Sequence, residues 1–169
     1  MIFGVWLTGL SGSGKSAIAR ELVRLLHERG VEVSVLESDV MRTQLTPFAR
    51  YDDAERDFFY GALADIGASL VAKARPVVFD ATANRRRYRD LTRSRIARFC
   101  EVYVDTPLEV CRARDPKGLY SNPGISTLPG AQAPYEAPLA PELVLHGDRG
   151  TPQDAAALIV AQLRSRGWL

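Results

Sequence analysis

Residues 9–16, GLSGSGKS, stand between the apolar run IFGVWLT and the segment AIARELVRLLHERG. Gly9, Gly14, Lys15 and Ser16 fit G-x-x-x-x-G-K-[ST], a loop whose backbone N–H groups wrap the phosphates of a nucleotide. Glycine is needed because side chains would block that approach and because several positions demand positive φ. Lys15 would neutralise the β and γ phosphates, and Ser16 would ligate Mg2+. The helix behind them would aim its positive end at the anion. The four positions coincide by chance in roughly one chain of this length in a few hundred, and their placement between a strand and a helix makes accident rarer. Gly9, Leu10, Ser11, Gly12, Ser13, Gly14, Lys15 and Ser16 are therefore read as the seat of ATP or GTP phosphates. The bland alternative is a glycine-rich turn that binds nothing.

Such a loop needs a buried strand before it and a helix after it, and the remaining pattern extends that order. IFGVWLT reads as a strand buried on both faces, and Ile18, Leu22, Leu25 and Leu26 recur at helical spacing until Gly30. VEVSVLES, PVVFDA, FCEVYVD and PELVLHG read as further strands, and Phe59, Leu63, Ile66 and Leu70 mark one face of a helix. TPQDAAALIVAQLRSRG opens with Thr151 as N-cap, Pro152 at the first helical position and Asp154 three residues after the cap. Alternating strands and helices imply a mostly parallel sheet in a three-layer α/β/α sandwich. A Pro-, Gly- and Ser-rich stretch, RDPKGLYSNPGISTLPGAQAPYEAPLAP, is too long for a plain connection and reads as a lid at about residues 112–140.

The 169 residues suffice for one domain, residues 1–169, with a sizeable core. An apolar fraction of 46% with 25% charged residues is globular composition. The net charge of +2 gives no reason to invoke nucleic acid or an anionic membrane, so neither is expected as a partner. Arginines 85, 86, 87, 89, 93, 95 and 98 crowd one segment, which reads as a solvated helix face or an anion-facing surface. No basic leader precedes the first apolar run, no run reaches the length of a membrane span, and Cys100 and Cys111 read as small core hydrophobes; a cytoplasmic setting is expected.

Phosphoryl transfer needs a metal, cations around the moving group and something to orient the attacking hydroxyl. Asp39 in LESDVMR reads as the end of the second strand, at the edge where doubly wound sheets bind ligands, so that it could reach Mg2+ and accept the hydroxyl proton. The bland alternative is a cap of the next helix. Arg42, one turn on, points to the same side. Asp80 ends PVVFD at the same edge, as a second metal-proximal carboxylate or a cap, with Asn84 and its arginines toward substrate. In the lid, Arg112 and Arg114 would cover the triphosphate and Lys117 would screen the γ-phosphate; the alternative is an exposed charged loop. A GTPase would carry a guanine-reading Asn-Lys-x-Asp segment, which this chain lacks.

With GLSGSGKS, the segments EVYVDTPLEVCRARDPKGLY and PYEAPLAPELVL, supported by LESDVMR and DDAER, give a chain that resembles the adenylylsulfate kinases over nearly its whole length. The resemblance implies the fold of P-loop containing nucleoside triphosphate hydrolases, an enzyme using ATP with Mg2+ as phosphoryl donor, and phosphorylation of the 3′-hydroxyl of adenosine 5′-phosphosulfate. It also implies a cytosolic homodimer. By position it implies Lys15, Asp39 and Arg114 as catalytic residues, Ser16 and Asp39 at the metal, and Arg112, Arg114 and Lys117 with the phosphate loop on ATP. Acceptor contacts would come from Asp39, Arg42, Tyr51, Arg56, Phe59, Ala83, Asn84, Lys117 and Leu128. The departures cluster on that acceptor side. Glu37 and Ser38 replace an aspartate and a glycine, Phe59 an asparagine, Tyr51 and Leu128 two phenylalanines, and Ala83 and Asn84 a serine and a proline. VVFDATANRRRYRD also looks like the strand-to-loop segment of polynucleotide-kinase-like enzymes. A related kinase for another nucleotide or small alcohol is the competing expectation, and a non-catalytic nucleotide-binding module the one from another class.

Overall fold

The strands are short because each apolar run is cut by a glycine, a proline or a polar turn. β1 (Gly4–Thr8), β2 (Ser34–Glu37), β3 (Val77–Asp80), β4 (Phe99–Asp105) and β5 (Leu143–His146) pair in parallel in the order β2-β3-β1-β4-β5. The computed structural model describes Met1–Leu169. β1 is central, with Gly4 in register with both Val77 and Phe99, and all five of its residues are buried. Strand alternation sends Val5 and Leu7 to one face and Trp6 to the other.

On the first face α1 (Lys15–His27) and α6 (Pro152–Ser165) bring Ile18, Leu22, Leu26, Ile159 and Leu163 onto the sheet. On the second, α3 (Asp53–Ala72) and α4 (Arg86–Arg95) cover Trp6, Phe79 and Phe99. Two apolar layers on one parallel sheet make the three-layer α/β/α sandwich expected. The Trp6 indole stacks on Phe79 at 4.6 Å and donates to Ala81 O at 2.9 Å, so it fixes the turn after β3. Thr151 and Asp154 cap α6 reciprocally: the Thr151 hydroxyl accepts from Asp154 N–H at 3.1 Å, and Asp154 Oδ2 accepts from Thr151 N–H at 3.1 Å. No helix is long and apolar enough to cross a membrane.

Three expectations change. β2 stops at Glu37, and α2 (Ser38–Leu45) starts at the next residue, so Asp39 lies in the first turn of a helix and not on a strand. Glu37 serves as N-cap by backbone conformation alone, without a side-chain bond, which is why no capping residue announces the boundary. Arg112 and Arg114 belong to a further helix, α5 (Leu108–Arg114), and the irregular lid begins beyond it. The basic run around α4 is a largely ion-paired face, met by acids on α3, in β4 and ahead of β5, with Arg87 still more than half exposed. Arg87 pairs with Asp57, Arg95 with Asp65 at 2.6 Å, Arg93 with Glu142 at 2.6 Å and Arg85 with Asp53 at 3.6 Å, while Arg89 is buried against Glu101 at 2.6 Å. Cys100 and Cys111 are buried and free, as expected, with burial pushing both thiols up, Cys100 to about 12.

Candidate active site at the carboxyl edge of the sheet

The loop between β1 and α1 has its carbonyls tied away and its amides left over. Lys15 Nζ donates to Gly9 O at 2.9 Å and Leu10 O at 2.7 Å, Tyr120 Oη to Ser11 O at 2.9 Å, Arg114 Nη1 to Gly12 O at 3.4 Å, and Thr106 Oγ1 to Ser13 O at 2.9 Å. Of the amides from residue 9 to 16, only Ser13 N–H meets an acceptor, Leu10 O at 3.2 Å. The start of α1 has no side-chain cap and no acidic residue in its first turn, in contrast to the boxed start of α6. Unmatched donors and a bare helix dipole converge on one concavity, which is the requirement for a polyanion. Gly12 must be glycine, since a Cβ there would lie 2.8 Å from Cys111 O and its φ is +78°.

Lys15 stands at the centre of this cradle. Burial brings its ammonium down to about 8; the carboxylates of Asp80 and Asp39 oppose the drop and Lys117 adds to it. Asp80 is buried at the end of β3 and caps no helix, because α4 starts at Arg86 with Arg85 as its N-cap. Asp39 is exposed and ion-paired with Lys117 from the lid. Ser16 is half-buried in the first turn of α1. No group of three or more His, Cys, Asp or Glu side chains gathers here, so any cation would draw on Ser16, at most the carboxylates of Asp39 and Asp80, phosphate and water. That donor set suits Mg2+, which keeps waters and shares phosphate oxygens, rather than an all-protein metal cage.

Further along the edge, Arg42 lies with its guanidinium 4.5 Å over Tyr51 and 4.1 Å over Phe59, and donates to Glu55 at 2.7 Å. Although burial works against it, Glu55 is held below the usual carboxylate range by the N–H groups of Arg50 and Tyr51 and by Arg42. Arg56, 6% exposed, has no acidic partner and gives Nη2 to Thr127 O at 2.7 Å, beside buried Leu128. The structure thus joins Asp39 to Lys117, Arg42 to Tyr51, and Arg56 to the lid carbonyl that precedes Leu128. Phe59, Ala83 and Asn84 turn inward: Phe59 is core, and Asn84 Nδ2 is committed to Pro134 O at 3.0 Å. Arg112 lines a cavity of about 310 Å³ with Asp115, Tyr120, Ser121, Ala131 and Gln132, and Tyr120 of that lining reaches the loop at Ser11 O.

The sequence pattern does not single out Glu55, Thr106, Tyr120, Thr127 or Tyr135, and marks Arg89 only as one of a run of arginines. Glu55, Thr106, Tyr120 and Tyr135 lie inside recognised segments, whereas Thr127 acts through its own carbonyl on Arg56, far along the chain, and leaves no local pattern. The Tyr135 hydroxyl meets Thr8 Oγ1 at 3.0 Å, and Thr8 in turn donates to Thr82 O at 2.6 Å, so the lid root touches the residue preceding the phosphate loop.

Residues 1–146 match the family model described as Adenylylsulphate kinase. A curated adenylyl-sulfate kinase of Halothermothrix orenii is 35% identical over 168 residues, covering 98% of this chain and 91% of that protein. One of Rippkaea orientalis is 36% identical, covering 98% and 93%. The solved Mycobacterium tuberculosis APS kinase in complex with AMPPNP and APS is 35% identical, covers 96% of this chain and 97% of that one, and superposes with a TM-score of 0.88. Shikimate kinase of Aquifex aeolicus, 17% identical with a TM-score of 0.62, shares the fold.

Proposed function

This chain belongs to the adenylylsulfate kinase family, and on that footing we propose that it transfers the γ-phosphoryl group of ATP to the 3′-hydroxyl of adenosine 5′-phosphosulfate. The observation that carries the reading is the array of unmatched amides at the start of α1, with Lys15 held among them. When ATP enters, Lys15 exchanges the Gly9 and Leu10 carbonyls for phosphate oxygens, and the loop amides take the remaining charge. Ser16 and Asp39 would hold Mg2+, which when bound neutralises charge shared by the β and γ phosphates. Asp39, released from Lys117, accepts the proton of the acceptor hydroxyl. The new bond joins that oxygen to the γ-phosphorus, the bond to the β,γ-bridging oxygen breaks, and ADP leaves. Arg114 and Lys117 screen the moving group, and Arg42 and Arg56 receive the acceptor's anionic end.

A second reading, another nucleotide or a small alcohol as acceptor, is favoured by the cage around Arg42. Its charge is already met by Glu55, and the Tyr51 and Phe59 rings lie against its guanidinium. Incubation with Mg·ATP and a panel of hydroxyl compounds, read by mass spectrometry, decides between them. The proposal expects adenosine 5′-phosphosulfate to gain one phosphate fastest, and Lys15→Ala to lower turnover by roughly a hundredfold or more. A faster alternative acceptor overturns the acceptor, and unchanged turnover in the variant overturns the role of the loop.

A further inference from the structure

Arg89 is a buried cation that the phosphoryl-transfer chemistry does not use. At 1% exposure it sends its donors to three separate parts of the chain: Nε to Glu101 in β4 at 2.6 Å, Nη1 to Ala83 O, and Nη2 to Glu136 O at 2.6 Å. Glu101 is also buried, and its second oxygen takes Arg93 Nη2 at 3.2 Å. The two carbonyls belong to the acceptor-side turn after β3 and to the segment where the lid rejoins the fold.

Both segments depend on this contact. Ala83 sits at a φ of +43°, unusual for a residue with a Cβ, and its N–H donates to the buried Tyr60 hydroxyl at 3.0 Å. Across from it, Glu136 N–H donates to Asn84 O at 2.7 Å, and Glu136 Oε2 accepts from Arg86 N–H at 2.8 Å, standing in for the side-chain cap that α4 lacks. Tyr135 between them reaches Thr8, the last residue before the phosphate loop. The turn, the lid root and the root of the phosphate loop therefore meet around one guanidinium, whose planar fork fixes the spacing of its acceptors.

A buried ion pair is weak evidence for a role in stability, because a well-packed apolar pair often serves as well or better. An apolar pair has no way to hold two backbone carbonyls at a set separation. We propose that Arg89 is a positioning residue for phosphoryl transfer, setting residues 81–84 and 134–136 at the spacing that the acceptor and the lid require. This rests on the reading above of the acceptor at Arg42 and Arg56, where the lid rooted at residues 134–136 brings Thr127 O onto Arg56.

The test compares Arg89→Met with the double variant Arg89→Met/Glu101→Leu, which removes both buried charges and so restores folding. Hydrogen exchange at residues 83–86 and 135–137 is a readout independent of the acceptor's identity. The expected result is that the double variant melts close to the parent and keeps its KM for ATP within about twofold, exchanges faster at those amides, and shows a rise of roughly tenfold or more in KM or fall in kcat with whichever acceptor the parent uses. Recovery of both amide protection and acceptor kinetics in the double variant would show the role to be structural only and overturn the proposal. Failure of the parent to phosphorylate adenosine 5′-phosphosulfate would overturn the acceptor reading, while the exchange result still decides for or against Arg89.

Discussion

At neutral pH Lys15 carries its ammonium in a place where burial favours the neutral amine, so that its charge falls away near pH 8. Between that value and the ordinary lysine value of 10.5 the unfolded chain binds more protons than the folded one. The buried charge therefore lowers stability below pH 8, and the penalty lifts as pH rises through that window. Nucleotide binding has the opposite preference. A triphosphate favours the ammonium, so binding above pH 8 takes up a proton, and affinity for ATP should fall by roughly tenfold between pH 7 and pH 9. Titration calorimetry in buffers of different ionisation enthalpy reads both effects. Lys15→Arg, which stays charged, should flatten the dependence, and a flat profile in the parent would contradict the position of Lys15 in the cradle. The cost in stability and the gain in binding arise from the same desolvated ammonium.

Among the elements, α3 shows packing and propensity pulling in opposite directions. A glycine in a helix interior is about 1 kcal/mol worse than alanine, so Gly61→Ala, whose Cβ would meet nothing within 4 Å, should stabilise by roughly 0.5–1 kcal/mol. At Gly67 the added Cβ would lie 2.2 Å from Cζ of Phe79, which is stacked on Trp6 and has no room to retreat. Overpacking there outweighs the propensity gain, and Gly67→Ala should destabilise by about 1–3 kcal/mol. Denaturant midpoints of the two variants should therefore move in opposite directions; a shift the same way would refute the packing of α3 on the sheet. The same elements show what could be read in advance. β4 matches FCEVYVD residue for residue, and α6 announces itself through Thr151, Pro152 and Asp154, because strand patterning and caps are local signals. The boundary before Asp39 and the short α5 were not legible, since neither start carries a capping side chain. The pairing of α4 arginines with Asp53, Asp57 and Asp65 was hidden too, because it spans two helices that only the fold brings together.

Across the whole molecule, parallel strand order places the ends of β1, β2 and β3 on one edge, which is why a loop at residue 9, a carboxylate at 39 and another at 80 share a site despite their separation in sequence. The phosphate loop was legible from eight consecutive residues. The acceptor side was only partly so, since Arg56 meets Thr127 O through a lid whose course depends on Asn84, Arg89 and Thr8. That lid reaches the loop through Tyr120 and reaches α2 through the ion pair of Lys117 with Asp39. Both side chains are about half exposed, and such a pair contributes less than about 1 kcal/mol, so an arriving ligand displaces it readily. The most direct test is a crystal structure of this chain with magnesium and a non-hydrolysable ATP analogue. The β and γ phosphates should lie on the amides of residues 12–16, with Lys15 Nζ moved from the Gly9 and Leu10 carbonyls to phosphate oxygen and Asp39 parted from Lys117 to face the metal. A triphosphate bound elsewhere, or a Lys15 still bonded to those carbonyls, would contradict the assignment of this edge as the site of phosphoryl transfer.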